Sequence, residues 1–195
     1  FAGVGKTPEE MRQALKAGIH AFHVESAGEL EALARVAGEM GVRAPVGLRV
    51  NPDIQTNTPH EYTRTGHAAT KFGIAVSEAL ALYRAHAGNP ALAFRGIDVH
   101  IGSQIVEVEP YRRALETVLA MVDALASEGI ALEYVDLGGG FGVGYEGEPG
   151  LTPEEVAAEI LPPLRARGLR LVLEPGRSIV GEAGVLLTRV LYVKA

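Results

Sequence analysis

Short apolar runs alternating with capped helices constrain the fold of this chain more than any other feature. Thr7-Pro-Glu-Glu10, Ser26-Ala-Gly-Glu29 and Thr152-Pro-Glu-Glu155 each set a hydroxyl residue three positions before Glu. In that pattern a side-chain oxygen caps a helix N-terminus, so three helix starts are marked. Two more helices are predicted at about 77–87 and 110–128, and apolar runs lie at 19–25, 46–51, 97–101, 134–137 and 170–174. Strands alternating with helices, each joined by enough chain for a crossover, predict βαβ units and a parallel sheet.

A period of two separates the faces of those strands. Phe22 and Val24, Val46, Leu48 and Val50, Ile97, Val99 and Ile101, Val135 and Leu137, and Leu171 and Leu173 form one apolar set expected to face helices. The other face reads His23 and Glu25, Gly47, Arg49 and Asn51, Asp98 and His100, Asp136 and Gly138, and Glu174. A doubly wound sheet buries both faces with apolar residues. A polar row at the C-terminal strand ends instead fits a (β/α)8 barrel, where it marks the site. The predicted fold class is therefore α/β, part of a (β/α)8 TIM-type barrel of about five strand–helix units. Five strands do not close such a barrel and the chain opens on Phe1, so it is expected to be a piece of a longer protein.

Composition removes several functions. The chain has 195 residues, 47% of them hydrophobic, enough for a substantial core. Eighteen basic against 24 acidic residues give a net charge of −6 with no basic cluster, so no nucleic-acid partner is expected. No apolar run reaches membrane-spanning length, so no membrane partner is expected either. Zero cysteine excludes disulfides and thiolate metal ligands and fits a cytoplasmic location.

Three phrases carry chemistry. Tyr134 to Tyr145 places five glycines within seven residues behind an apolar strand. Such a turn leaves amide N–H groups to converge on an anion, most simply a phosphate, although a tight turn without a ligand explains glycines equally well. Gly142-Val-Gly144-Tyr-Glu-Gly147 matches the dinucleotide fingerprint only formally, since no helix opens there. His100-Ile-Gly-Ser-Gln104 ends a strand with an inward His and a hydroxyl residue, and Glu174-Pro-Gly-Arg177 throws opposite charges onto one rim. His20, His23 and Glu25 look like metal ligands, yet residues three apart on a strand face opposite ways, so no metal is expected. Residues 52–70 are long and polar, as in a functional lid.

Together with Phe1-Ala-Gly-Val-Gly-Lys-Thr7, Gly47-Leu-Arg-Val-Asn-Pro52 and Lys71-Phe-Gly-Ile74, these phrases resemble the diaminopimelate decarboxylases. That group is a branch of the pyridoxal-phosphate decarboxylases of fold type III, with an alanine-racemase-like barrel. The resemblance runs in order through nearly the whole chain, and Gln104 looks like the diaminopimelate branch.

The resemblance implies roles for particular residues. Gly138, Gly139 and Gly140 would cradle the phosphate of pyridoxal 5'-phosphate, with Ser103 adding a hydroxyl and Pro175 and Gly176 shaping the neighbouring turn. Glu174 would face the pyridine nitrogen, His100 would stack on the ring, and Arg49 would approach ring substituents. Arg177 would meet the phosphate or a substrate carboxylate. Residues 1–177 would be an incomplete barrel and 178–195 the beginning of a C-terminal β domain. The intact protein would be a homodimer that decarboxylates meso-diaminopimelate to L-lysine. Rival substrates are arginine, ornithine and carboxynorspermidine. Outside the class stand a sugar-phosphate isomerase or aldolase and a non-catalytic cofactor carrier. The family's cofactor lysine sits in a Tyr-Ala-Val-Lys-Ala-Asn-like phrase absent here, and its later Cys-Glu phrase is absent too, so this chain alone is expected to be inactive. Lys71 is assigned to structure or loop closure.

Overall fold

The computed structural model describes residues 1–54, 71–145 and 150–194. Strands β1 (Phe22–Val24), β2 (Ala44–Asn51), β4 (Leu92–Asp98), β5 (Tyr134–Asp136) and β6 (Arg170–Val172) form one parallel sheet in that spatial order, and β3 (Ile74–Ala75) pairs with the end of β2. Helices α1 (Pro8–Lys16), α2 (Ala27–Met40), α3 (Val76–His86), α4 (Glu109–Ser127), α5 (Pro153–Arg165) and α6 (Arg177–Val180) complete the described elements. Sheet order follows chain order, with no reversal of direction. That is the arrangement of a barrel wall rather than of a doubly wound sheet. The wall is open, since β1 and β6 each have one strand neighbour among the described residues.

The capped helices begin where their residues require. Thr7 accepts from the Glu10 amide at 3.2 Å while the Glu10 carboxylate accepts from the Thr7 amide at 2.8 Å, and Thr152 and Glu155 repeat this exchange. Ser26 makes only half of it. Its hydroxyl accepts from the Glu29 amide at 3.2 Å, but the Glu29 carboxylate turns away to the Glu25 amide at 2.9 Å and the Lys6 ammonium at 2.5 Å. A buried ion pair has displaced the reciprocal cap.

The apolar face is the core. Phe22, Val24, Val46, Leu48, Val50, Ile97, Val99, Ile101, Val135 and Leu137 are buried against the helices, each contributing about 1.5–3 kcal/mol if fully transferred from water. Leu173 departs from the expected set, being 38% exposed just past the marginal strand β6. Strand β4 also departs, running from Leu92 to Asp98 rather than 97–101. Arg95 and Gly96 hide the strand in the sequence, while Val99 keeps one bond to the Asp136 carbonyl at 2.9 Å after the ladder ends. Gly96 is needed because a Cβ there would stand 2.4 Å from the Tyr134 ring, which crosses the inner face. A bulge between Val46 and Gly47 is plugged by Tyr83, whose hydroxyl accepts from the Leu48 amide at 3.1 Å and donates to the Gly96 carbonyl at 2.6 Å.

Candidate active site

The inner polar row gathers at the C-terminal strand ends. Parallel register sets Arg49 beside Asp98 and Asp98 beside Asp136, and His100 and Gly138 follow two residues beyond the latter two. Asp136 Oδ1 accepts from the Gly138 amide at 2.8 Å, which turns the chain sharply into the left-handed conformation at Gly138 (φ 64°) and again at Gly140 (φ 88°). His100 Nδ1 accepts from the Gly139 amide at 3.2 Å, so the imidazole is fixed against the turn. Burial, followed by the nearby Arg49 charge, lowers the His100 pKa to about 4 and keeps the ring neutral at pH 7.

The glycines are demanded first by other backbone. A Cβ on Gly139 would lie 2.1 Å from the Glu174 carbonyl oxygen, and one on Gly140 would lie 2.2 Å from the Gly102 carbonyl oxygen. The Glu174 amide donates to the Gly138 carbonyl at 2.7 Å, so the glycine turn and the Glu174–Gly176 turn interlock. From α4, Tyr111 donates its hydroxyl to the Gly139 carbonyl at 2.9 Å, its ring stacked on Phe141. Two of the three glycine amides are thus committed inside the protein. The Gly140 amide has no acceptor among the described residues.

The remaining expected residues fall around this turn. Ser103 is half-buried on the loop whose Gly102 backs Gly140. The Glu174 and Arg177 side chains are exposed, and Pro175 is half-buried between Glu174 and Gly176, which forms the N-cap of α6. Gln104, in a left-handed conformation (φ 60°), donates to the Val143 carbonyl at 2.6 Å and accepts from Arg177 Nη1 at 3.3 Å. It bridges the glycine loop to Arg177, a role invisible in sequence until the turn is built.

Arg49, beside Asp98 on the neighbouring strand, has Nη1 3.0 Å from Glu25 and its guanidinium 5.1 Å from the Phe72 ring centroid. His20, His23 and Glu25 do not converge. The His20 ring packs at a tilt against Tyr134, whereas His23 Nδ1 lies 3.6 Å from Asp98 and 3.7 Å from Asp136. Those three ligand atoms are within 4.8 Å of one another, a spacing a cation can span. Proton uptake also answers the charge: burial drives the Asp98 pKa well up, lifts Asp136 to about 6 and lowers His23 to about 3. A larger hollow lined by Arg43, Phe94, Arg95, Ile130 and Glu133 opens at the N-terminal strand ends and holds none of the expected site residues. Barrel chemistry belongs at the other rim. The expected lid at 52–70 falls almost wholly outside the described residues.

Residues 1–181 match the family model described as pyridoxal-dependent decarboxylase, pyridoxal binding domain. The chain belongs to the pyridoxal-dependent decarboxylase family. It is 54% identical over 195 residues to diaminopimelate decarboxylase of Pseudomonas aeruginosa, covering all of this chain and 46% of that relative. It is 40% identical to diaminopimelate decarboxylase of Aquifex aeolicus, again over 46% of the relative. The chain therefore spans about half the length of these curated relatives. Among solved structures, diaminopimelate decarboxylase from Helicobacter pylori complexed with L-lysine superposes with a TM-score of 0.87 at 38% identity, over 91% of this chain and 45% of the other. Over the aligned residues the chain shares the architecture of this relative.

Proposed function

We propose that this chain is the cofactor-binding half of a decarboxylase that converts meso-diaminopimelate to L-lysine and CO2 with pyridoxal 5'-phosphate. The observation that supports it best is the neutral His100 pinned by the Gly139 amide, beside a turn whose backbone permits no side chain. The donor set suits the cofactor: the Gly140 amide, the Ser103 hydroxyl and the Arg177 guanidinium would hold its phosphate. Bound, pyridoxal phosphate supplies an electron sink for the pair left when the carboxylate departs. His100 would offer its uncharged face to the ring. Glu174 would hold a proton at the pyridine nitrogen, and Arg49 would orient a ring oxygen. Glu174 also favours this reading over a sugar-phosphate isomerase or aldolase, where a carboxylate beside a phosphate has no use.

The finer readings share this support. The diaminopimelate substrate rests on 54% identity to a diaminopimelate decarboxylase. We place residues 178–195 at the start of a second, β-rich unit, supported by Val185, Leu186 and Leu187, which are 92–98% exposed. Homodimerisation and a cytoplasmic location are proposed on the family resemblance. Among the described residues no helix is long and apolar enough to cross a membrane.

The test is CO2 release by the full-length protein from meso-diaminopimelate, ornithine, arginine and carboxynorspermidine. Release from meso-diaminopimelate with lysine formed in equal amount is expected. Release from another of the four, with none from meso-diaminopimelate, would overturn the substrate. Removing Glu174 (Glu174→Ala) should abolish turnover while sparing phosphate binding.

A further inference from the structure

Three separate pieces of the chain meet on Glu25, a residue with no assigned role. Its Oε1 accepts from the Gly3 amide at 3.2 Å and from Arg49 Nη1 at 3.0 Å, and its Oε2 accepts from the Gly73 amide at 3.1 Å. The side chain is only 3% exposed, so these donors stand in for water around the charge. We propose that Glu25 is a positioning residue of the cofactor site, aiming Arg49 and tying the turn at residues 71–73 down over it. The inference rests on the proposed function, since it takes Arg49 as a cofactor contact.

Each side of Glu25 is itself braced. Gly73 is left-handed (φ 72°) and packs directly on β2, where a Cβ would lie 3.0 Å from the Asn51 amide nitrogen. That contact sets Phe72 over the Arg49 guanidinium, so Arg49 is held edge-on by a carboxylate and face-on by a ring. On the far side, Lys6 donates to the carbonyls of Gly3 and His23 at 2.6 and 2.7 Å and to Glu29 at 2.5 Å. Glu29 in turn accepts from the Glu25 amide at 2.9 Å. Gly3 is therefore gripped at its carbonyl by Lys6 and at its amide by Glu25. Aspartate at position 25 would keep the charge but fall one methylene short of spanning all three donors.

Glutamine is the sharper probe. In the full-length protein Glu25→Gln preserves volume, yet whichever oxygen becomes nitrogen, a donor then faces a donor: Gly73 in one orientation, Gly3 and Arg49 in the other. Two measurements read the consequence. In the cofactor-free variant, hydrogen exchange at Gly3 or Gly73 should accelerate on the order of tenfold while α4 amides stay protected. In titrations with pyridoxal phosphate, the dissociation constant should rise on the order of tenfold, with Glu25→Asp falling between wild type and Glu25→Gln. Unchanged exchange at both glycines would overturn the clamp. Faster exchange with unchanged cofactor affinity would overturn the positioning role. If wild type itself fails to bind pyridoxal phosphate, the proposed function fails, and the exchange data still judge the clamp. Should Glu25→Gln not fold, Glu25→Asp, which keeps the charge but shortens the reach, carries both measurements. Faster exchange at Gly3 or Gly73 with weaker cofactor binding supports the proposal, and wild-type exchange or wild-type affinity overturns it.

Discussion

Replacing His100 by Asn leaves a side-chain acceptor near the Gly139 amide and removes a group that the fold keeps neutral. The unfolded chain binds a proton on this imidazole below about pH 6.5, whereas the folded chain resists until about 4. Because the unfolded state binds more protons in that window, the His100 contribution to stability grows as pH rises from about 4 to 6.5. Wild type should therefore lose stability relative to His100→Asn on acidification from pH 7 to 5, measured as urea midpoints of the cofactor-free, full-length protein. Asp136 has the opposite sign. Its pKa is raised by burial to about 6, so its contribution shrinks as pH rises from about 4 to 6, and Asp136→Asn should remove that decline. Two glycines make a second contrast. Gly139→Ala drives a methyl into the Glu174 carbonyl and should cost about 1–3 kcal/mol and abolish cofactor binding. Gly38→Ala meets open space on α2 and should stabilise by up to about 1 kcal/mol. The sequence displays the glycines, His100 and Glu174 as contiguous phrases. The contacts of Glu25, Gln104 and Tyr111 escape such reading because their partners lie 24, 39 and 28 residues away and become partners only when strands align.

At the scale of elements, helices are legible from their first residues, because capping is a local transaction between hydroxyl and amide. Thr7→Ala and Thr152→Ala should each cost about 1 kcal/mol in thermal or denaturant unfolding. Strands are less legible. Strand β4 carries Arg95 near its middle and Gly96 where Tyr134 must cross, both dictated by neighbours. Strand β3 has two residues, too few for any periodicity. Helix α4 reaches into the site through one hydroxyl. Tyr111→Phe should cost about 1 kcal/mol and weaken cofactor binding, since the Gly139 carbonyl loses its donor while the Phe141 stack remains. Isothermal titration of the full-length variant with pyridoxal phosphate checks the second effect.

For the whole molecule, the polar inner face and apolar outer face were readable as a barrel wall, and the sheet order agrees. The lysines bear on the expectation that this chain is inactive alone. Lys6 is spent on Gly3, His23 and Glu29, and Lys71 is exposed beside Phe72. Borohydride reduction of the full-length protein with pyridoxal phosphate should label a lysine outside these 195 residues. Stoichiometric labelling of Lys71 would refute that.

The order β1, β2, β4, β5, β6 has a kinetic meaning as well. Each strand of this path pairs with the path strand made before it, with β3 and α3 intervening between β2 and β4, so no pairing waits for chain made later. Loop-closure entropy is then met in small, similar instalments. Assembly can advance along the wall from one side to the other at the pace of synthesis. The interlock between Gly138 and Glu174, which involves the last of these strands, comes late in that progression, so the wall can form before the pocket on its rim.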